Sequence, residues 1–107
     1  MQDHVEQAVL GLAGVSRRYA FNGDGYYVRA RLFAFIEPGG IVMRPPEPQR
    51  TSALARQGAR TWTMPRTSLR HDWVYVPFGE APAEELIGWL AAARDHVAGM
   101  DEVSRPS

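Results

Sequence analysis

The sequence predicts an α+β fold, an antiparallel sheet with helices packed on one face, in the order α-β-β-β-α-β-β-α. Three features carry this prediction. Apolar residues recur at helical spacing near both ends, at Val5, Ala8, Val9 and Leu12 and again at Leu86, Leu90, Ala93 and Val97. Between them, residues 26–36 alternate with a period of two, as a strand does. The turn-forming runs Asn22-Gly23-Asp24-Gly25 and Glu37-Pro38-Gly39-Gly40 are too short for the crossovers that parallel strands need. A parallel nucleotide-binding sheet is therefore not expected.

The first helix spans residues 3–13, with Asp3 as an N-cap and Gly14 as its stop. Arg17–Phe21 forms the first strand, and the Asn-Gly and Asp-Gly pairs supply the positive φ angles of a tight hairpin. A single long strand follows over 26–36. After the Pro-Gly turn, Ile41–Arg44 returns as the third strand. Pro48 suits the first position of a short helix that runs through Gln57 to a C-cap at Gly58. Arg60–Met64 and Trp73–Phe78 are strands, with a polar loop over 65–72 between them. Pro82 opens the last helix, which runs to Ala98. Residues 1–98 thus form one domain, and 99–107 a flexible tail.

Composition narrows the function classes. The 107 residues contain no cysteine and no lysine, so thiol chemistry and zinc ribbons are excluded. No apolar run is long enough to span a bilayer, and residues 1–15 lack the basic start of a secretory signal. A cytoplasmic home is expected, with no membrane association, no metal and no cofactor. Twelve arginines balance twelve acids, but unevenly along the chain. Residues 17–70 hold ten arginines against three acids, while the segments on either side are acidic.

The alternation over 26–36 divides that strand into two faces. Tyr26, Val28, Ala30, Leu32, Ala34 and Ile36 form an aliphatic face that should meet the helices. Tyr27, Arg29, Arg31, Phe33 and Phe35 form the other, mixing arginine with aromatic rings. That composition stacks on bases and neutralises phosphates. It is also the ordinary composition of a half-wet sheet face covered at its apolar end. Arg17, Arg18, Tyr27, Arg29 and Arg31 are accordingly the candidate nucleic-acid-binding residues. Trp73 and Tyr75 share one face of their strand and, with Phe33, are the candidate interface for a second copy or another ligand.

Catalytic constellations are poor. His4, His71 and His96 show no metal-ligand spacing, no serine sits in a nucleophile elbow, and Gly23-Asp24-Gly25 does not open a helix. Glu84 and Glu85 suit the N-terminal dipole of the last helix better than paired acid–base work. No catalytic residue is assigned.

The succession Arg17-Arg18-Tyr19-Ala20-Phe21, Leu32-Phe33-Ala34-Phe35-Ile36, Gly40-Ile41-Val42-Met43-Arg44, Gly58-Ala59-Arg60-Thr61-Trp62 and Trp73-Val74-Tyr75-Val76-Pro77, closed by a helix bearing Trp89, resembles the TfoX N-terminal domain and the related YjbR-like proteins. The likeness spans residues 5–98. It implies a small bacterial α+β regulatory domain of the kind linked to competence for DNA transformation, with DNA binding suggested for similar folds. The sequence departs from that pattern at Phe21-Asn22-Gly23-Asp24-Gly25, where a Phe-Gly-Gly-like turn is usual. The resemblance brings no catalytic residues. The expected partners are nucleic acid or, through the aromatic face, a second copy of the chain.

Overall fold

A computed structural model describes residues 2–20, 23–62 and 73–103. Along them run α1 (Gln2–Leu10), β1 (Val15–Ala20), β2 (Gly23–Val28), β3 (Arg31–Glu37), β4 (Gly40–Met43), α2 (Gln49–Leu54), β5 (Arg60–Trp62), β6 (Trp73–Pro77) and α3 (Ala83–Val103). The six strands form one antiparallel sheet in the order β1-β2-β3-β4-β6-β5. The α+β class and the element order agree with the sequence, with one difference. The long strand expected over 26–36 is folded on itself into β2 and β3.

The fold-back lies at Arg29-Ala30, whose φ angles are 52° and 65°. Val28 pairs with Arg31 across this two-residue loop. Two consecutive positive φ angles are the mark of a type I′ turn, the connection that best matches strand twist. Asn-Gly is the usual occupant. Arg and Ala carry a Cβ that meets the following carbonyl, at a cost of roughly 1–2 kcal/mol per residue.

A second irregularity follows. Tyr26 pairs with Ala34 but Tyr27 with Leu32, so Phe33 is an extra residue in β3, a β-bulge. The turn and the bulge each reverse the alternation, and together they cancel. Tyr26, Val28, Ala34 and Ile36 therefore do meet the helices, as expected. Only the three residues between the two breaks are inverted. Leu32 packs on the opposite side, Arg31 shares a side with Val28, and Phe33 turns into the helix-side core, fully buried.

The helices cover that one face. Val5 and Val9 of α1, Ala53 of α2, and Leu86, Leu90, Ala93 and Val97 of α3 pack with Tyr26, Phe33, Ile41, Met43, Val74 and Val76 in one cluster. Burial of side chains of this size contributes about 1.5–3 kcal/mol each. The last helix continues past Gly99, where the flexible tail was expected to begin. Helical Gly costs about 1 kcal/mol relative to Ala. Docking of Met100 against the core opposes that cost. Residues 104–107 lie outside the described residues.

Other boundaries move for local reasons. Gly23, Asp24 and Gly25 are not the hairpin turn but strand residues, paired with Ala20, Tyr19 and Arg18. Residues 21–22, between β1 and β2, lie outside the described residues. The first helix ends at Leu10, short of the expected Ala13, and Gly14 (φ 75°) instead leads into β1, while Gly39 (φ 77°) completes the Pro-Gly turn as expected. Gly40 has a different necessity. A Cβ there would sit 2.6 Å from both the Tyr75 ring and the Val76 carbonyl. No helix among the described residues is long and apolar enough to cross a membrane.

Candidate nucleic-acid interface

On the sheet side away from the helices, Phe35, Val42 and Trp73 are almost completely buried, with Leu32, Trp62 and Tyr75 packed against them. Phe35 and Trp62 meet edge to face with centroids 4.9 Å apart, and Phe35 lies 5.9 Å from Trp73. Phe35 is on β3 and Trp62 on β5, with β4 and β6 between. On a flat sheet that is three strand spacings, about 14 Å. The sheet therefore curls, concave on this side, and its aromatics close on one another as a second small core.

Arginines cap that core. Arg60 lies over the Tyr75 ring at 4.7 Å and Arg44 over Trp73 at 5.9 Å. The Tyr75 hydroxyl donates to the Pro38 carbonyl at 3.2 Å, and its ring fills the space above Gly40. Arg44 and Arg60 were not singled out in the sequence, although Arg60 stands two residues before Trp62, on the same side of β5. Of the three candidate interface residues, Trp73 and Tyr75 share one side of the sheet as expected, but Phe33 lies on the other. Phe33 is in the helix-side core, Trp73 in the second core, and Tyr75 half-buried between Gly40 and Arg60. Among the described residues the one exposed large hydrophobic side chain is Tyr19.

The five candidate nucleic-acid-binding residues lie on β1, β2 and β3 and in the turn between β2 and β3, at one edge of the sheet. Arg17 pairs with Tyr26 and Arg31 with Val28, so both flank the helix-covered side. Arg18 lies on the opposite side, its guanidinium 5.5 Å from the centre of the half-buried Tyr27 ring. Arg29 occupies the tip between β2 and β3. The four guanidinium side chains are exposed. They do not form the flat face expected from simple alternation. They wrap the corner where β1 begins and the β2–β3 hairpin turns.

Charge is segregated along these strands. Asp24 is the one acid between Gln7 and Ile36, and it lies on β2 opposite Tyr19, on the same side as Arg17. Glu37 stands at the far end of β3 from Arg31, about 20 Å away at strand rise. Three arginines elsewhere among the described residues are paired. Arg50 pairs with Glu47 at 3.3 Å, Arg56 with Glu85, and Arg94 with Asp95 at 2.7 Å. Arg94 also donates to the Ala13 carbonyl at 2.8 Å, holding α3 to the α1–β1 connection. Thus α3 neutralises Arg56, but among the described residues Arg17, Arg18 and Arg29 form no ion pair.

A cavity of about 340 Å³ opens between α2 and α3, lined by Ser52, Ala55, Arg56, Glu85 and Trp89. Its two charged groups already bind each other. Sequence reasoning did not anticipate this cleft, because Ser52 and Glu85 are far apart in the chain. His4 is exposed on α1 and His96 half-buried on α3, while His71 lies outside the described residues. Among the described residues no three His, Cys, Asp or Glu side chains gather as metal ligands.

No family model, curated protein or solved structure matches the chain.

Proposed function

We propose that the chain is a non-enzymatic, cytoplasmic bacterial domain that binds nucleic acid through the arginine corner of β1–β3. The observation that carries this reading is the set of four exposed arginines on β1, the β2–β3 turn and β3, where Asp24 is the one acid between Gln7 and Ile36. Such a patch releases counterions when it meets a polyanion, and that release drives association. The resemblance to the TfoX N-terminal and YjbR-like proteins supports a regulatory role of the same kind. Because most sheet aromatics are committed to the second core, contacts to phosphates dominate over stacking on bases. Tyr27 is the one candidate ring that remains half-exposed at the corner.

Fluorescence anisotropy with labelled single- and double-stranded DNA over a salt series tests this. Four phosphate contacts predict an affinity that falls with log salt at a slope of about −3.6 for duplex and about −2.8 for single strands. Absence of binding at low salt, or binding indifferent to salt, overturns the reading. The alternative, a homodimer or small-ligand interface on the aromatic face, is less supported, because Phe33 and Trp73 of that candidate set are buried.

A further inference from the structure

The β2–β3 turn combines two facts that local physics alone does not reconcile. Arg29 and Ala30 both adopt positive φ, a conformation that Asn and Gly occupy at much lower cost. The turn also stands in the middle of the basic corner, with Arg31 following it and Arg18 beside Tyr27 on the neighbouring strands. A turn selected for stability alone would carry neither residue. Non-glycine residues held in the left-handed region persist where the surrounding structure over-determines them, and they concentrate at ligand-contacting sites.

We infer that Arg29 is the leading phosphate contact of this corner, a guanidinium held at the hairpin tip at the expense of fold stability. The inference rests on the nucleic-acid reading above and assigns its strongest single contact. The pairing of Val28 with Arg31 closes the turn on both sides, so little backbone freedom is lost when a phosphate is bound. A guanidinium presents a planar fork of donors suited to two phosphate oxygens. With Arg17 and Arg31 on one side of the sheet and Arg18 on the other, the tip is the position from which a single strand of phosphates can be followed to either side.

The test separates stability from binding in two variants, Arg29→Asn and Ala30→Gly, each of which relieves strain at the same turn. Chemical denaturation and anisotropy with a labelled 20-base-pair duplex are measured on both and on the parent chain. Both variants are expected to unfold at higher denaturant than the parent. Arg29→Asn should bind about tenfold more weakly at low salt, with the salt slope shallower by about 0.9. Ala30→Gly should bind like the parent. If Arg29→Asn keeps the parent's affinity and slope, or if Ala30→Gly loses as much, the assignment of Arg29 fails while the nucleic-acid reading stands. If the parent itself does not bind, both fall.

Discussion

Gly40 and Glu47 show how single residues shape this fold. Gly40 exists because the Tyr75 ring and the Val76 carbonyl occupy the volume of a side chain. Gly40→Ala should destabilise the protein by about 1–3 kcal/mol through overpacking. Urea unfolding would show this, and a midpoint unchanged from the parent would contradict the close approach. Glu47 accepts hydrogen bonds from the Thr51 hydroxyl at 2.6 Å and the Thr51 backbone N–H at 3.2 Å. These, with Arg50 nearby, hold its carboxyl below the ordinary 4.5. A depressed folded-state pKa means that the contribution is present above the ordinary value and disappears as pH falls through the folded one. The thermal midpoints of the parent and Glu47→Gln should therefore converge as pH falls below about 4.5. A constant gap would show that the carboxylate's charge is not involved. Tyr26 is a contrasting case. Its hydroxyl is buried without a hydrogen-bond partner, and burial together with the Glu6 carboxylate keeps it protonated well above the usual tyrosine range.

Among elements, the β2–β3 hairpin explains both what was legible in the sequence and what was hidden. Helices α1 and α3 declared themselves by periodicity, and the Pro38-Gly39 turn by its composition. The hairpin did not, because Arg29-Ala30 contains no turn former and because two phase reversals cancelled. Residues 26, 28, 34 and 36 kept the parity of an unbroken strand, and only Arg31, Leu32 and Phe33 changed sides. Bulges have no residue-level signature of the strength of Asn-Gly, so Phe33 was assigned to the wrong face. The second core was hidden for another reason: contacts such as Phe35 with Trp62 depend on sheet curvature, which no local pattern encodes. Trp62→Ala should remove its apolar edge and destabilise by about 3–5 kcal/mol. Near-ultraviolet circular dichroism and denaturation on that variant check it, and a loss under 1 kcal/mol would mean that the ring is not part of a core.

Across the molecule, net neutrality is the sum of separated parts. The helix-bearing layer carries Asp3, Glu6, Glu84, Glu85 and Asp95, while the arginines of β1–β3 stand at one corner of the sheet. The sequence made the arginine excess visible but placed it on one flat face with Phe33 and Phe35. Folding instead puts those rings into two cores and wraps the arginines around a corner. The resulting surface is a local positive patch on a neutral protein, and its reach is set by the Debye length, about 8 Å at physiological salt. Binding should therefore be weak and strongly salt-dependent.

The most direct test of this account compares salt slopes for duplex DNA in the parent, in Arg17→Gln/Arg18→Gln, and in Arg60→Gln. Arg60 caps Tyr75 on β5, at the sheet edge opposite β1. The account predicts that the double variant loses about 1.8 from the magnitude of the slope while Arg60→Gln leaves it unchanged. Equal slopes in all three proteins would contradict it.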